Sequence, residues 1–166
     1  MKHRRYGFLI AVGIMFLAIG IVGMGWMLHA SQTANRFASQ VETGFMAAAM
    51  VNAKEIHTDA DRAVIAEYEG KRVVIHPGNY DALRLLLTQE MAASLFGEMD
   101  KKDALRISFC GTSDMYIAPV AGRDAIYVEW TVQGKRCYVR IKGNSIWERM
   151  KLFAVEGTGT NLNIPL

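Results

Sequence analysis

Two cysteines are the first candidates for chemistry in this sequence of 166 residues. Cys110 stands in the segment FCGTSD, where Gly, Thr, Ser and Asp predict a turn. A thiol becomes a nucleophile only as the thiolate, which requires a nearby base, and His76 offers an imidazole. One hypothesis is therefore an extracytoplasmic thiol-dependent enzyme that uses Cys110 with His76 as the base.

The same thiols have two other interpretations. Cys110 and Cys137 both fall on predicted strands, and neighbouring strands hold Cβ atoms about 4.5–5.5 Å apart, close to the separation that a disulfide bridges. The pair is therefore a candidate disulfide. Two separate buried thiols fit the sequence equally well, because nothing in it fixes the register of the strands.

A cluster of metal-ligating residue types lies in the segment HTDAD. His57, Asp59 and Asp61 could share a divalent cation, but a solvated turn explains them as well and no second cluster completes a coordination shell. The chain has no P-loop, no G-x-S-x-G and no H-E-x-x-H motif. The sequence thus makes no specific case for an enzyme, and we expect neither a metal nor a cofactor.

The apolar run at residues 7–28 decides where any such chemistry takes place. It contains no charged residue, and as a helix it spans about 33 Å, close to the roughly 30 Å of a bilayer core. A secretory signal has a shorter apolar region of about 7–15 residues and ends at a small-x-small site, where this chain has Leu28 before Ala30. We predict a retained transmembrane anchor, with a removed signal peptide as the alternative.

The flanks of the run predict its orientation. Lys2, Arg4 and Arg5 precede it, whereas the first basic residue after it is Arg36, and basic flanks stay on the cytoplasmic side. The N-terminus is then cytoplasmic and the remainder of the chain extracytoplasmic. We expect a single-pass protein of the cell membrane.

The net charge of +3 comes from the three basic residues that precede the span, and the rest of the chain is formally neutral. Three of the 19 Lys and Arg residues precede the span, and the remaining 16 balance the 16 acidic residues. Nucleic-acid binding requires a concentrated positive surface, so we expect no nucleic-acid partner.

Small residues in the predicted span suggest a partner helix. Gly7 and Ala11 have small-x-x-x-small spacing, and Gly13 and Gly20 are a heptad apart, which lets helix backbones approach closely in lipid. Glycine is also common in spanning helices generally, so the pattern alone leaves both interpretations open.

A second stripe follows the span. Phe37, Val41 and Phe45 recur at helical spacing, which predicts a membrane-proximal helix with one apolar face. That face packs either on its own domain, which is the ordinary interpretation, or on a partner, which makes the stripe a candidate interaction surface.

The remaining pattern predicts an α+β fold. Alternating strand segments and turns give an antiparallel sheet of about five strands, with a first hairpin ending at residue 75 and a second around Gln133-Gly134. Helices are predicted from Leu83 to about Phe96 and from about Asn144 to Phe153, packed on one face of the sheet.

The predicted organisation has four parts: a cytoplasmic N-terminus at 1–6, a transmembrane helix at 7–28, a membrane-proximal helix at 29–55 and an extracytoplasmic α+β domain at 56–166. An anchored domain without a catalytic motif is typical of an interaction module. We expect an accessory or assembly subunit of a cell-envelope complex, whose partners are the lipid bilayer and another membrane or envelope protein or a second copy of itself.

Overall fold

The fold is an N-terminal helix followed by an α+β domain, as a computed structural model of the chain shows. The structure describes residues 2–52, 61–93, 99–132 and 135–156. The predicted α+β class, the long N-terminal helix and the antiparallel sheet are confirmed. Within these described residues the sheet has seven strands, whereas the sequence predicted about five.

The first helix, α1, runs without interruption over Lys2–Val51, which corresponds to a rod about 75 Å long. Its two halves have opposite surroundings. The apolar side chains from Ile14 to Leu28 are exposed, whereas Phe37, Val41, Phe45 and Ala48 are buried. The same helix therefore carries an uncovered apolar segment and a segment of the domain core.

The sheet has the strand order β2-β1-β4-β5-β6-β7-β3, and all neighbours are antiparallel. Its strands are β1 Val64–Tyr68, β2 Lys71–Val74, β3 Met91–Ala93, β4 Leu105–Phe109, β5 Ser113–Pro119, β6 Ala125–Val132 and β7 Lys135–Lys142.

The register places the apolar side chains of the central strands on one face. Ile107 pairs with Met115, Met115 with Trp130, and Trp130 with Cys137, so a single buried row crosses four strands. Because side chains alternate along a strand, the residues between them point to the opposite face, which is polar. Buried side chains of α1 and of the later helices pack on this apolar face and form a single hydrophobic core with it.

The later helices cover the same face. After a 3-10 turn at Pro77–Asn79, helix α2 spans Tyr80–Thr88 and buries Leu83, Leu86 and Leu87. Helix α3 spans Ile146–Lys151 before a π-helical turn at Leu152–Glu156. The short C-terminal helix is thus present close to its predicted position.

The predicted continuation of α2 toward Phe96 is wrong in the described part. The helix ends at Thr88, and Met91–Ala93 forms strand β3, which pairs with Ile141 and its neighbours in β7. Met and Ala favour helix, but pairing satisfies the otherwise open edge of β7, and this tertiary gain outweighs the local propensity. The sequence pattern gave no indication of this strand.

Two features fix α1 to the sheet. An added Cβ at Gly44 would lie 3.1 Å from the Trp130 ring and 3.6 Å from Phe109, so glycine permits the close approach of helix and sheet. At the end of the helix, the buried Asn52 amide donates to the carbonyls of Ala48 at 2.8 Å and Arg62 at 3.0 Å. The end of α1 is therefore bonded to the chain that enters β1.

The described part of α1 meets the requirements of a membrane span by length and composition. Its most apolar window, within Val12–Val51, has a mean hydropathy of 1.9, and none of that window is buried. A signal sequence near an N-terminus has the same properties.

Candidate functional site

Cys110 and His76 flank strand β1 but do not interact. Cys110 follows β4 and His76 follows β2, and β1 runs between them. The Cys110 thiol lies 3.4 Å from the carbonyl of Arg62, and His76 Nδ1 accepts a hydrogen bond from the Gly78 N–H at 3.1 Å. Burial raises the pKa of Cys110, which is the opposite of what an activated thiolate requires. The geometry gives no support to the thiol-dependent enzyme.

Cys110 is partly buried and packs against the edge of the core. The thiol lies near Tyr80, and burial together with this neighbour raises the pKa of Tyr80 to about 12. Tyr80 in turn packs on Phe45, which contacts Phe109 edge to face. Cys110 therefore belongs to the border of an aromatic cluster.

The candidate disulfide, one of the alternatives that the sequence left open, does not fit this strand order. Both cysteines are free, and strands β5 and β6 separate Cys110 at the end of β4 from Cys137 in β7. Three strand spacings amount to about 14 Å, whereas a disulfide joins Cα atoms about 4.4–6.8 Å apart. Cys137 is buried, so it packs as one of the two separate thiols that the sequence also allowed.

The weak metal-site candidate can be followed only in part. His57 and Asp59 lie outside the described residues, and Asp61 is exposed at the start of the described segment 61–93. Within the residues that the structure describes, no group of three or more His, Cys, Asp or Glu side chains is arranged to hold a metal ion.

The stripe of Phe37, Val41 and Phe45 faces its own sheet and is not a partner-facing surface. These three side chains are at most 2% exposed, and Phe37 meets the Trp130 ring edge to face with centroids 6.2 Å apart. The domain needs this stripe because the apolar face of the sheet would otherwise meet water. The ordinary interpretation of the pattern is therefore correct.

Two of the small residues in the first half of α1, Gly13 and Gly20, have open space around them. Gly7, Ala11, Gly13 and Gly20 all lie in α1, and an added Cβ at Gly13 or Gly20 would have no atom within 4 Å. Nothing in the described fold uses these two glycines, so their role as a helix contact stays a prediction.

A groove of about 500 Å³ runs between α1 and the turn that joins β4 to β5. One wall is a stripe of small and polar α1 side chains, and the other is formed by Phe109 and the turn, with Trp130 between them. The lining residues are Ser39, Gln40, Thr43, Gly44, Ala47, Ala48, Val51, Phe109, Cys110, Thr112, Ser113 and Trp130. A volume of this size is typical of ligand sites in proteins.

Two threonine hydroxyls of this groove are bonded to carbonyls of their own chain. The Thr43 hydroxyl donates to the Ser39 carbonyl at 2.7 Å, and the Thr112 hydroxyl donates to the Phe109 carbonyl at 2.8 Å. Among the described residues that line this groove, two side-chain atoms, Gln40 Oε1 and Trp130 Nε1, are buried without a hydrogen-bond partner.

The opposite face of the sheet carries a buried carboxylate. Glu129 lies in the middle of β6, its side chain is 3% exposed, and it accepts hydrogen bonds from Lys101 at 2.7 Å and Arg136 at 2.5 Å. Burial opposes ionisation, but the two cations outweigh it and lower the pKa of Glu129. Lys101 also lies 4.4 Å from the centroid of the Tyr116 ring. Lys101 and Arg136 together neutralise the Glu129 carboxylate and cover it from solvent on the polar face of the sheet.

Sequence reasoning missed both features. Trp130 alternates with other apolar residues of β6, so its pattern indicates core and does not reveal an unpaired indole N–H. Glu129 gave a usable signal, since a charged residue inside the run IYVEWTV implies either solvent or a paired carboxylate on that face. Gln40 gave no signal in the sequence, because the burial of its side chain depends on how α1 packs on the sheet.

Comparisons with known proteins give no match for this chain among family models, curated proteins or solved structures.

Proposed function

We propose that this protein is a single-pass membrane-anchored interaction module, an accessory or assembly subunit of a cell-envelope complex. The N-terminus lies in the cytoplasm and the α+β domain lies on the extracytoplasmic side. The observation that carries the proposal is the division of α1 into an uncovered apolar half and a half that is part of the domain core.

The uncovered half supports an anchor. Large apolar side chains from Ile14 to Leu28 have no cover in the described fold, and exposing them to water is unfavourable by about 25 cal/mol for each Å². Lipid or another helix provides that cover. The basic residues Lys2, Arg4 and Arg5 then favour the cytoplasmic side for the N-terminus.

The continuity of α1 supports an interaction role. Because one helix passes from the apolar half into the core, the domain is held close to the membrane surface in a defined orientation. Such an arrangement presents one side of the domain to membrane neighbours. The glycines at positions 13 and 20, which contact nothing in the described fold, suit a helix partner in the bilayer.

Chemical cross-linking of the full chain in native membranes tests this function. We expect a discrete adduct larger than the monomer, either with a second membrane protein or with another copy. Recovery of the monomer alone would contradict the proposal.

A double variant, Gly13→Leu with Gly20→Leu, locates the contact. Both positions have open space around them, so the fold is expected to be unchanged. Loss of the adduct in this variant assigns the partner contact to the span, whereas its persistence assigns the contact to the domain.

A further inference from the structure

We infer that a second cavity, at one end of the sheet beside the start of α3, binds a small quaternary ammonium compound. The cavity has a volume of about 380 Å³, in the range of ligand sites in proteins. It lies where β1 and β5 end and β6 begins. The lining residues are Tyr68, Met99, Asp100, Asp103, Ala118, Pro119, Tyr127 and Trp147. This inference goes beyond the proposed function, because it requires neither the membrane anchor nor a protein partner.

Three aromatic rings line this cavity. Tyr68 and Trp147 meet edge to face, with centroids 5.6 Å apart and planes at 81°, so their ring faces stand at about a right angle. The third ring, Tyr127 of β6, is stacked on Tyr138. All three lining rings are partly exposed, so a molecule in the cavity reaches them directly. Because the face of an aromatic ring carries negative partial charge, these rings favour a cation.

Two carboxylates add a net negative charge to the lining. Asp100 and Asp103 are both exposed, and Asp100 Oδ1 accepts a hydrogen bond from the Lys102 N–H at 3.0 Å. In the part of the chain that the structure describes, neither carboxylate forms an ion pair, and none of the lining residues is basic. A cation in the cavity therefore meets opposite charge as well as ring faces.

Two lysines near the cavity are paired elsewhere. Lys101 binds Glu129 at 2.7 Å. Lys151 Nζ lies 5.9 Å from the centroid of the Trp147 ring, at the outer limit of a cation–π contact, and pairs with Glu148 at 2.8 Å. Neither lysine lines the cavity. The site is thus open to a cation from solution.

The lining selects a methylated ammonium group over other cations. A metal ion requires several oxygen or nitrogen ligands, and among the described residues no group of three or more ligating side chains is arranged to hold one. A primary ammonium is strongly hydrated and needs acceptors for three N–H groups. A quaternary ammonium has no N–H to satisfy, and its methyl groups pack on the rings while its charge stays near the carboxylates.

The same carboxylates also indicate what the ligand lacks. A phosphate next to the ammonium group would be repelled by Asp100 and Asp103. A free compound of the choline type therefore fits the cavity better than the phosphocholine headgroup of a lipid does.

The test uses the full chain with 15N-labelled tryptophan in maltoside micelles, which carry no ammonium group. Choline chloride is the probe, and sodium chloride at the same ionic strength is the blank. We expect the indole resonance of Trp147 to shift and saturate with choline. The indole resonances of Trp26 and Trp130, which do not line the cavity, serve as internal controls.

Two ligand comparisons test the charge and the source of the ligand. Dimethylbutanol, the isostere in which carbon replaces the ammonium nitrogen of choline, is expected to bind about tenfold more weakly, the combined size of two partly exposed cation–π contacts. Phosphocholine represents the lipid headgroup, and its phosphate is expected to weaken binding about two- to fivefold.

Two variants with matched controls test the lining. Tyr127→Leu removes one ring and is expected to weaken choline binding about two- to fivefold. Tyr138→Leu breaks the same ring stack from outside the lining and is expected to leave binding unchanged. Asp103→Asn is expected to weaken binding about twofold, as for one exposed ion pair. Asp61→Asn, at an exposed carboxylate outside the lining, is expected to have no effect.

Several outcomes would overturn the inference. One is a Trp147 resonance that responds to choline no more than to sodium chloride, and another is equal affinity for choline and dimethylbutanol. Phosphocholine that binds more tightly than choline would contradict the role of the carboxylates. If Tyr127→Leu fails to fold, as the Trp130 resonance reports, equal binding by Asp103→Asn and Asp61→Asn is the result that refutes the site. None of these outcomes affects the proposed function, which cross-linking tests separately.

Discussion

The Glu129 triad leads to a prediction about non-additive stability. The carboxylate is buried, while the side chains of Lys101 and Arg136 are 44% and 52% exposed. Removal of one cation leaves the other in hydrogen-bonding contact, so Lys101→Ala or Arg136→Ala alone is expected to cost about 1 kcal/mol. Removal of both leaves a buried charge without compensation, which costs about 3–5 kcal/mol.

The pH dependence of this loss has a definite sign. In the unaltered protein the pKa of Glu129 is lowered, so its stabilisation is present above the ordinary carboxyl pKa and is lost as the pH falls through the lower folded value. In the double variant only burial remains, which raises the pKa above the ordinary value. The folded state then takes up the proton first, and the difference in unfolding free energy from the unaltered chain shrinks as the pH falls from about 7 toward 5.

Urea unfolding of the full chain in detergent, followed by near-ultraviolet circular dichroism, measures these differences. Adding Glu129→Gln to the double variant is the matched control, because it removes the charge and should abolish the pH dependence of the difference. If the two single losses add to the double loss and the sum is independent of pH, Glu129 is not a desolvated carboxylate and the reasoning fails.

Two further predictions concern the core and the thiols. Phe37→Ala should destabilise the domain by about 3–5 kcal/mol in the same unfolding assay, whereas Met50→Ala on the exposed side of α1 should change it by less than about 0.5 kcal/mol; equal losses would show that the stripe is not core. Cys110 and Cys137 should both react with maleimide in the unfolded chain without prior reduction, and Cys110, the less buried thiol, should react first in the folded chain; a requirement for reduction would demonstrate a disulfide.

Much of the fold follows from local patterns. The hairpin of β1 and β2 and that of β6 and β7 are visible as alternating apolar residues around turn residues, and the buried stripe of α1 is visible as helical spacing. These patterns report which side of each element is buried. The sequence cannot tell that Met91–Ala93 joins an edge strand, because its residues favour a helix and only the open edge of β7 makes the strand favourable.

The candidate site depends on tertiary placement and was not predictable. The groove exists because Gly44 lets α1 approach Trp130 and Phe109, and its unpaired atoms come from two elements far apart in the sequence. The cysteines also show that residue type does not reveal tertiary placement. Their residue type suggested a bond, but strand order alone keeps them apart.

The most direct test of the central claim is protease treatment of sealed right-side-out membrane vesicles from cells that produce the full chain. The account predicts that protease added outside degrades the α+β domain and leaves a protected fragment that contains residues 1–28. Recovery of a soluble chain that lacks this segment would show a removed signal, and a domain that survives protease until the vesicles are opened would place it on the cytoplasmic side. Either result would contradict the proposed anchor and its orientation.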